Sequence, residues 1–452
     1  MNHPFLQRWA WTLPLFVGII VIAITLPAYF QDDDFSIYWW LLYDSPSPIH
    51  WFEVWDMGLW RPFHLMIYWF EARLFGSEPI FYRLFHGLLY LLSIGLFLRL
   101  CTVITNSRQT ALVASLLFAA SFSHWQAIYW ICASSEILVG LFGLIFFLSL
   151  VSLSNSTTKW AVFMAIGSHL AALLVKENAV ALLPIACLYC WMSSAHWPLL
   201  KKKALLWGLA LPWFLSLAWH AWLAAQGQAV QTGIYSPTGL HLLENFGAFL
   251  VQLVLPGYTR PAPIAVWTVL AVFSGLLVWA GTQKKWLIFG ATAWTGISII
   301  PYIGIDIPNY YPSRYLYFPS MGFALFAAMM LKPLWSISRQ AWVWTSLALA
   351  VWVVFNLSLY QLHPDVHFFQ RHDALHRRVV QELRLYSMPA IDHLAVTGLD
   401  LPLTQETMPD LLRYLIALNE SPPQTIWTQP PWPEQPSLIL NWDGKKFLPV
   451  IQ

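Results

Sequence analysis

Long apolar segments recur along this chain, and they limit it to folds that cross a lipid bilayer many times. A helix of about 20 apolar residues spans the hydrocarbon core, because its backbone polar groups are paired within the helix. Of the 452 residues, 58% are hydrophobic and only 10% are charged, as such a fold requires. The pattern predicts about eleven spans, at residues 9–29, 80–103, 111–130, 135–153, 160–175, 178–194, 205–225, 264–281, 286–303, 315–331 and 342–360.

One further apolar segment, residues 246–255, is too short to cross and ends at Pro256-Gly257. We therefore expect it to be re-entrant or interfacial. The first span follows Arg8 and is too long for the apolar region of a signal peptide, so it is predicted to be a retained anchor.

Lys and Arg residues are concentrated in the loops on one side of these spans, which predicts the orientation of the chain. Short loops rich in Lys and Arg face the cytoplasm. With about eleven spans, the predicted cytoplasmic loops contain Arg8, Arg108, Lys159, Lys201, Lys202, Lys203, Lys284, Lys285, Lys332 and Arg339. The N-terminus is then cytoplasmic, while the first loop (30–79) and everything after Tyr360 lie outside. The expected setting is the plasma or inner membrane.

The region after residue 361 looks soluble and predicts a small extracytoplasmic α/β domain at 362–452. It contains a helical pattern at 369–385, a strand at 393–397, a helix at 404–418 and a Pro-rich linker at 421–436. Segments 437–442 and 445–450 flank Asp443-Gly444, a pair that favours a two-residue hairpin turn. The predicted fold is thus an all-α polytopic membrane domain, residues 1–361, followed by this small domain.

Several function classes are disfavoured by composition. The net charge is +2, and no basic run alternates with exposed aromatic residues, so nucleic-acid binding is not expected. Cys187 and Cys190 have the spacing of a metal pair, yet they stand in an apolar segment without His or Asp companions. Such cysteines are more often packed in a core than bound to a metal. Neither a metal site nor a cofactor is predicted.

Three consecutive acids, Asp32, Asp33 and Asp34, directly follow the first span. Carboxylates at a membrane boundary are costly to desolvate and mark functional sites, although such a cluster can also be a solvated boundary. Adjacent carboxylates raise one another's pKa, so one can stay protonated while another acts as a base.

Glycosyl transfer needs a carboxylate to accept a proton and cations to hold a phosphate leaving group. The predicted outer face supplies both. Its acids are Asp32, Asp33, Asp34, Asp56, Glu136, Glu177 and Asp306, and its cations are Arg61, Arg83, Lys176, Arg260 and Arg314.

The order of motifs resembles the GT-C superfamily of membrane glycosyltransferases, which use polyprenyl-phosphate sugars. It is most similar to the protein O-mannosyltransferase-like branch that includes tetratricopeptide-repeat-containing transmembrane mannosyltransferases. The matching segments are Asp33-Asp34, Trp60-Arg61-Pro62-Phe63, His86, the run from His124 to Trp130 with Ser135-Glu136, Lys176-Glu177-Asn178 with Pro184, and the run from Ser313 to Ser320. Gln126 and Ser134 depart from the pattern, which often has Glu and Arg there, and the repeats are absent.

The resemblance implies inverting sugar transfer on the outer face, with mannose or another hexose as the sugar. Asp33 is then the catalytic carboxylate, with Asp34 as its partner and Asp32 as the substitute. Arg314 would hold the donor phosphate, helped by Arg260 and Lys176. The supporting residues are Arg61, Glu177, His86, His124 and Glu136. The partners are a polyprenyl-phosphate sugar donor, a protein or glycolipid acceptor, and the bilayer.

Each of these residues also has a structural interpretation. Arg314 can be an interfacial anchor beside its tyrosines, Lys176 and Glu177 can pair at span ends, and Arg61 can orient the loop before Pro62. Histidines without a second ligand at metal spacing, such as His86 and His124, are often only hydrogen-bonded.

Two other functions remain open. One is an oligosaccharide ligase or polymerase with a polyprenyl-diphosphate donor. The other is a transporter or flippase of lipid-linked sugars, which would place its ionisable groups at mid-membrane on broken helices.

Overall fold

The computed structural model of the chain describes residues 10–30, 34, 37–38, 41, 47, 51–52, 60–76, 78–155, 159–192, 203–225, 238–258, 261–305, 312–385, 393–397, 425–427, 438–442 and 447–449. Three predicted site residues, Asp32, Asp33 and Arg260, lie outside these ranges, as do Asp56, Asp306 and the predicted helix at 404–418.

Most of the described chain is helical. The helices are α1 (Leu13–Thr25), α2 (Pro62–Phe75), α3 (Pro79–Thr105), α4 (Arg108–Ala120), α5 (Trp125–Tyr129), α6 (Ser134–Asn155), α7 (Lys159–Val175), α8 (Leu182–Met192), α9 (Lys203–Ala225), α10 (His241–Val254), α11 (Pro263–Thr282), α12 (Trp286–Ile299), α13 (Tyr317–Ile337), α14 (Arg339–Leu362) and α15 (Pro364–Leu385). Proline occupies the first turn of α2, α3 and α11, where its missing N–H has no helical partner to lose.

Every predicted span overlaps at least one of these helices. Five helical stretches in the described residues are long and apolar enough to cross a membrane, and the bent pair Arg108–Ala120 and Phe122–Tyr129 makes a sixth if it counts as one span. The shorter apolar helices are Leu13–Thr25, Lys159–Val175, Glu177–Met192, His241–Val254 and Trp286–Tyr302. Segment 246–255 belongs to α10, one of these shorter helices. An integral membrane protein follows from this composition, while eleven crossings stay a prediction.

Several helices are preceded or continued by short 3₁₀ turns at the ends that the charge pattern places outside. These turns are Ile131–Ala133, Glu177–Ala181, Ile300–Tyr302 and Ser313–Leu316. They shorten the regular helices, and they also carry several of the predicted site residues. These ends of the helices are therefore less regular than a plain apolar pattern suggests.

Helices α6 and α13 approach each other closely at a glycine. In α6 a Cβ at Gly140 would lie 2.6 Å from the Tyr317 ring of α13, so only glycine permits this approach. On α13, a Cβ at Gly322 would lie 2.8 Å from the Thr295 backbone nitrogen of α12. Small residues at such crossings let membrane helices pack closely. This packing fixes the start of α13, and with it the turn Ser313–Leu316.

The described part of the C-terminal region is a helix and a small sheet. Strands β1 (His393–Thr397), β2 (Thr425–Trp427), β3 (Leu438–Trp442) and β4 (Phe447–Pro449) are ordered β2-β1-β3-β4. β1 pairs in parallel with β2 and β3, and β3 pairs antiparallel with β4. β1 coincides with the predicted strand. β3 and β4 pair antiparallel as expected, but Trp442 pairs with Phe447, so four residues separate the two strands and the predicted two-residue turn is wrong. Residues 443–446 themselves lie outside the described ranges. That 362–452 is a separate domain stays a prediction.

Candidate functional site

Asp34 is the one member of the triple acid that lies within the described residues. Its side chain is only 1% exposed, and its Oδ1 accepts a hydrogen bond of 2.6 Å from the backbone N–H of Cys132. The Tyr68 hydroxyl of α2 donates to the Ile131 carbonyl at 2.7 Å, in the same turn. Asp34 and Tyr68 are thus both hydrogen-bonded to the turn Ile131–Ala133.

Arg314 contacts Trp130, the residue directly before that turn. Its guanidinium carbon lies 4.6 Å from the centre of the Trp130 ring and 5.0 Å from that of Tyr315, both within cation–π range. Two hydrogen bonds also join the segments that carry Gln126 and Arg314. Ser313 Oγ accepts from the Gln126 N–H at 3.2 Å, and Gln126 Oε1 accepts from the Arg314 N–H at 3.4 Å. Asp34 and Arg314 therefore meet opposite ends of the short segment 130–132.

Lys176 and Glu136 form a buried ion pair beside Arg314. Lys176 Nζ lies 2.6 Å from Glu136 Oε1, and the two side chains are 5% and 0% exposed. Glu136 Oε2 accepts from Asn178 Nδ2 and from the Tyr302 hydroxyl, each at 2.9 Å. Burying a charge is costly without such partners. In this network the ion pair and the two hydrogen bonds to Glu136 offset the cost of desolvating the buried charges. Lys176 Nζ also lies 5.2 Å from the centre of the Tyr315 ring, so Lys176 and Arg314 border one aromatic ring.

Arg61 and Glu177 form a two-bond ion pair between the start of α2 and the turn after α7. Arg61 Nε donates to Glu177 Oε2 at 2.9 Å and Nη2 donates to Oε1 at 2.5 Å. Burial alone would raise the pKa of Glu177, but the Arg61 guanidinium and the nearby Lys176 lower it to about 2. This pairing agrees with a loop-orienting role for Arg61.

The two predicted histidines lie apart and have different partners. His86 Nε2 donates to Glu71 Oε1 at 2.9 Å, with both side chains buried. His124 lies deeper, with Nδ1 3.0 Å from Ser320 Oγ and its ring between Phe118 and Tyr317. Neither contact resembles a metal shell, and the described residues contain no group of three His, Cys, Asp or Glu arranged to hold a metal ion.

Arg83, one of the cations predicted to lie outside, has a structural task. Its guanidinium donates to three backbone carbonyls, those of Ala28, Tyr29 and Tyr129, and the side chain is 4% exposed. It joins the end of the first span to the segment before Trp130. A phosphate would have to compete with these carbonyls, so Arg83 is a poor candidate ligand.

Sequence reasoning missed several residues at the site, including His64, Glu71 and Asp373. His64 of α2 is 3% exposed and packs on Tyr68, and burial together with Arg61 and Lys176 lowers its pKa well below the ordinary value. A hydrophobic pattern interrupted by His64 and Glu71 could have signalled a buried polar face of α2.

Asp373 of α15 is 5% exposed and accepts a 2.5 Å hydrogen bond from the Tyr129 hydroxyl. Burial raises the pKa of Asp373 to about 6, and the nearby Tyr129, Arg83 and Arg377 only partly offset it. The sequence gives no sign of this contact, because the two partners are 244 residues apart.

No protein-family model and no curated protein matches the chain. Among solved structures, it is similar to ArnT from Cupriavidus metallidurans bound to undecaprenyl phosphate, with a TM-score of 0.51 and 13% identity over 96% of this chain and 93% of that one. An oligosaccharyltransferase of Archaeoglobus fulgidus, solved with zinc and sulfate, gives a TM-score of 0.39 at 12% identity, and this chain spans only 62% of its length. That score is too low to carry an argument. The likeness to ArnT is one of fold, while the GT-C superfamily and its mannosyltransferase branch stay predictions.

Proposed function

We propose that this protein transfers a sugar, mannose or another hexose, from a polyprenyl-phosphate-linked donor to a hydroxyl group of a protein or glycolipid on the outer face of the membrane, with inversion. The observation that carries the proposal is the meeting of Asp34 and Arg314 at opposite ends of segment 130–132. It brings a carboxylate segment and a guanidinium to one small region at the ends of apolar helices. The fold shared with ArnT, a protein solved with bound undecaprenyl phosphate, supports the same reaction class.

The proposed step is a direct displacement at the anomeric carbon. Asp33 takes the proton of the acceptor hydroxyl, the hydroxyl oxygen forms a bond to that carbon, and the bond from the carbon to the phosphate oxygen breaks. The polyprenyl phosphate leaves with the bonding electrons. Attack on the face opposite the leaving group inverts the configuration. Asp34, engaged by the Cys132 N–H, would orient the backbone that carries Asp33.

Arg314 would take the leaving phosphate, because a guanidinium offers paired donors that match phosphate oxygens. Its stacking on Trp130 and Tyr315 restrains the side chain, and Nη2 donates a long hydrogen bond of 3.4 Å to the Tyr315 hydroxyl. Lys176 is paired with Glu136, so its charge is partly neutralised and would attract the phosphate less strongly than an unpaired lysine. Arg260 and Lys176 stay secondary assignments.

An apolar cavity near Arg61 suits a lipid-linked substrate. It measures about 540 Å³ and lies between α7, α9 and the first outer loop. Its lining is Phe52, Trp60, Leu170, Leu173, Leu174, Leu211, Pro212, Leu215, Ser216 and Trp219. A largely apolar cavity of this volume has space for part of an isoprenoid chain.

The test is an assay of purified protein in lipid nanodiscs with polyprenyl-phosphate mannose, the matching diphosphate donor, and candidate peptide or glycolipid acceptors. We expect a glycosylated product and polyprenyl phosphate with the first donor. Product from the diphosphate donor alone would indicate the ligase alternative, and movement of labelled lipid without product would indicate a flippase. Asp33→Asn should lower kcat at least about a hundredfold, the usual contribution of a catalytic base.

Arg314→Lys gives a second, independent arm of the assay. It keeps one positive charge but loses the planar fork and the ring stacking, so we expect a lower kcat/KM for the donor. Arg378→Lys, on an exposed position of α15, is the matched control and should behave as wild type. Equal rates in Arg314→Lys and Arg378→Lys would remove Arg314 from the mechanism.

A further inference from the structure

The C-terminal pair of helices, α14 and α15, follows segment 121–130 along its whole length. Asn356 Oδ1 accepts from the Phe122 N–H at 2.9 Å, and the Tyr360 hydroxyl donates to the Ser121 carbonyl at 3.0 Å. Further along, the Phe369 ring of α15 lies 5.3 Å from Trp125, 6.0 Å from Tyr129 and 6.2 Å from Trp130, measured between ring centres.

Beyond Phe369, polar side chains of α15 make further contacts with the same region. The Asp373 carboxylate accepts from the Tyr129 hydroxyl at 2.5 Å. One turn later, Arg377 Nη2 donates to the Pro27 carbonyl at 2.9 Å, and its guanidinium lies 5.4 Å from the centre of the Tyr29 ring. Helix α15 is therefore fastened both to the end of the first span and to the segment that leads to Trp130.

These two segments are the ones that form the candidate site. The first leads into the triple acid, and the second carries the Trp130 ring that stacks on Arg314 and the Cys132 N–H that binds Asp34. We propose that α15 is a positioning element of the candidate site and that Asp373, through Tyr129, is a positioning residue for segment 130–132. Only the final link, from position to sugar transfer, rests on the proposed function.

The chemistry of the contact argues against simple coverage of an apolar surface. An aliphatic side chain at position 373 would cover Tyr129 at a lower desolvation cost than a buried carboxylate. A carboxylate bonded to a hydroxyl fixes distance and direction as well, which an apolar contact does not. Asp373 is 5% exposed, so its partner is set by this packing rather than by solvent.

The first experiment measures the position of segment 130–132 without any substrate. Cys101, Cys187 and Cys190 are replaced by Ala in the full-length protein, so that the half-buried Cys132 is the only thiol. The rate of maleimide labelling of Cys132 is then compared in Asp373→Ala, Asp373→Asn, Tyr129→Phe and the exposed control Arg378→Ala.

We expect Asp373→Ala and Tyr129→Phe to raise the labelling rate about tenfold, the factor that corresponds to losing one hydrogen bond to a charged group. Asp373→Asn keeps an oxygen acceptor and should stay near wild type, as should Arg378→Ala. If Asp373→Ala does not fold, Tyr129→Phe, which removes only a hydroxyl, still tests whether this hydrogen bond positions segment 130–132. Unchanged labelling in Tyr129→Phe would overturn the proposal.

The second experiment links the position to the reaction. In the transfer assay, Asp373→Ala should lower kcat about tenfold and Asp373→Asn should restore it, while Arg378→Ala stays at the wild-type rate. If the wild type transfers no sugar, the proposed function fails, whereas the labelling result still decides the positioning role. A kcat of Asp373→Ala equal to that of wild type, in an active enzyme, would contradict the positioning role in catalysis.

Discussion

At the scale of single residues, the charges of this site are arranged in partnered sets. Glu136 joins Lys176, Asn178 and Tyr302 in one buried network, whereas Arg61 and Glu177 pair closer to the surface. A buried pair contributes little net stability by itself, yet removing one partner leaves an uncompensated charge. The two pairs should therefore respond differently to substitution.

We expect Glu136→Gln and Lys176→Met each to lower the free energy of unfolding by about 3–5 kcal/mol, because each leaves one buried charge without its partner. The double variant should lose less than the sum of the two. Equilibrium unfolding in mixed micelles measures this, with the exposed Lys159→Met as the control. Strict additivity would mean that the two groups do not interact.

The Arg61–Glu177 pair predicts a pH dependence. The folded pKa of Glu177, about 2, lies below its ordinary value of 4.5. Its contribution to stability is thus fully present above pH 4.5 and is lost as the pH falls toward 2. We expect Arg61→Gln to lower the thermal midpoint at pH 7, and the difference from wild type to shrink between pH 4.5 and 3.

The matched control for that measurement is Arg73→Gln, on an exposed position of the same helix. Its midpoint should follow the wild type at every pH. A difference between Arg61→Gln and wild type that stays constant down to pH 3 would contradict the assignment of the pair.

At the scale of elements, the break after α4 shows where a hydropathy pattern stops being informative. Residues 111–130 read as one span, but the helix ends at Ala120 and the next stretch is bent by 50°. Ser121 Oγ accepts from the Ser123 N–H, and Asn356 supplies the acceptor for the Phe122 N–H. These partners satisfy the backbone groups that a break exposes. Asn356 is 234 residues from Phe122 along the chain, so the local sequence could not reveal this hydrogen bond.

We expect Asn356→Leu to destabilise the protein by about 1–3 kcal/mol, since the Phe122 N–H would be buried without an acceptor. The control is Ser358→Ala, whose hydroxyl is exposed and bonds only within its own helix. Unfolding free energies of the two variants test this. An Asn356→Leu protein as stable as Ser358→Ala would mean that the break does not need this bond.

Apolar length was enough to predict a helix within or across each proposed span, and the local pattern predicted strand β1, because both depend on nearby residues. The pairing of charges was not predictable in the same way. Arginine is a residue type that binds phosphate, yet the guanidinium of Arg83 donates to three backbone carbonyls from two segments. Glu71 was overlooked although it pairs with His86 across two helices. Such choices depend on packing between distant elements, which no local pattern records.

At the scale of the whole molecule, the charge asymmetry of the loops predicts that α15 and the candidate site face outward. In a protein without native cysteines, we expect Arg371→Cys to react with a membrane-impermeant maleimide on intact cells. Gln283→Cys, between α11 and α12, should react only after the membrane is permeabilised. Both positions are exposed, so accessibility within the fold is matched. The reverse labelling pattern would place the site in the cytoplasm.

The acid segment and Arg314 are proposed to serve one pocket beside the lipid. A cryo-EM structure of the protein in nanodiscs with bound polyprenyl phosphate tests it most directly. We predict the phosphate within about 3 Å of the Arg314 guanidinium, with Asp33 facing the same pocket and close enough for an acceptor hydroxyl to bridge them. A phosphate bound away from Arg314, or an Asp33 carboxylate directed into a different cavity, would contradict the account.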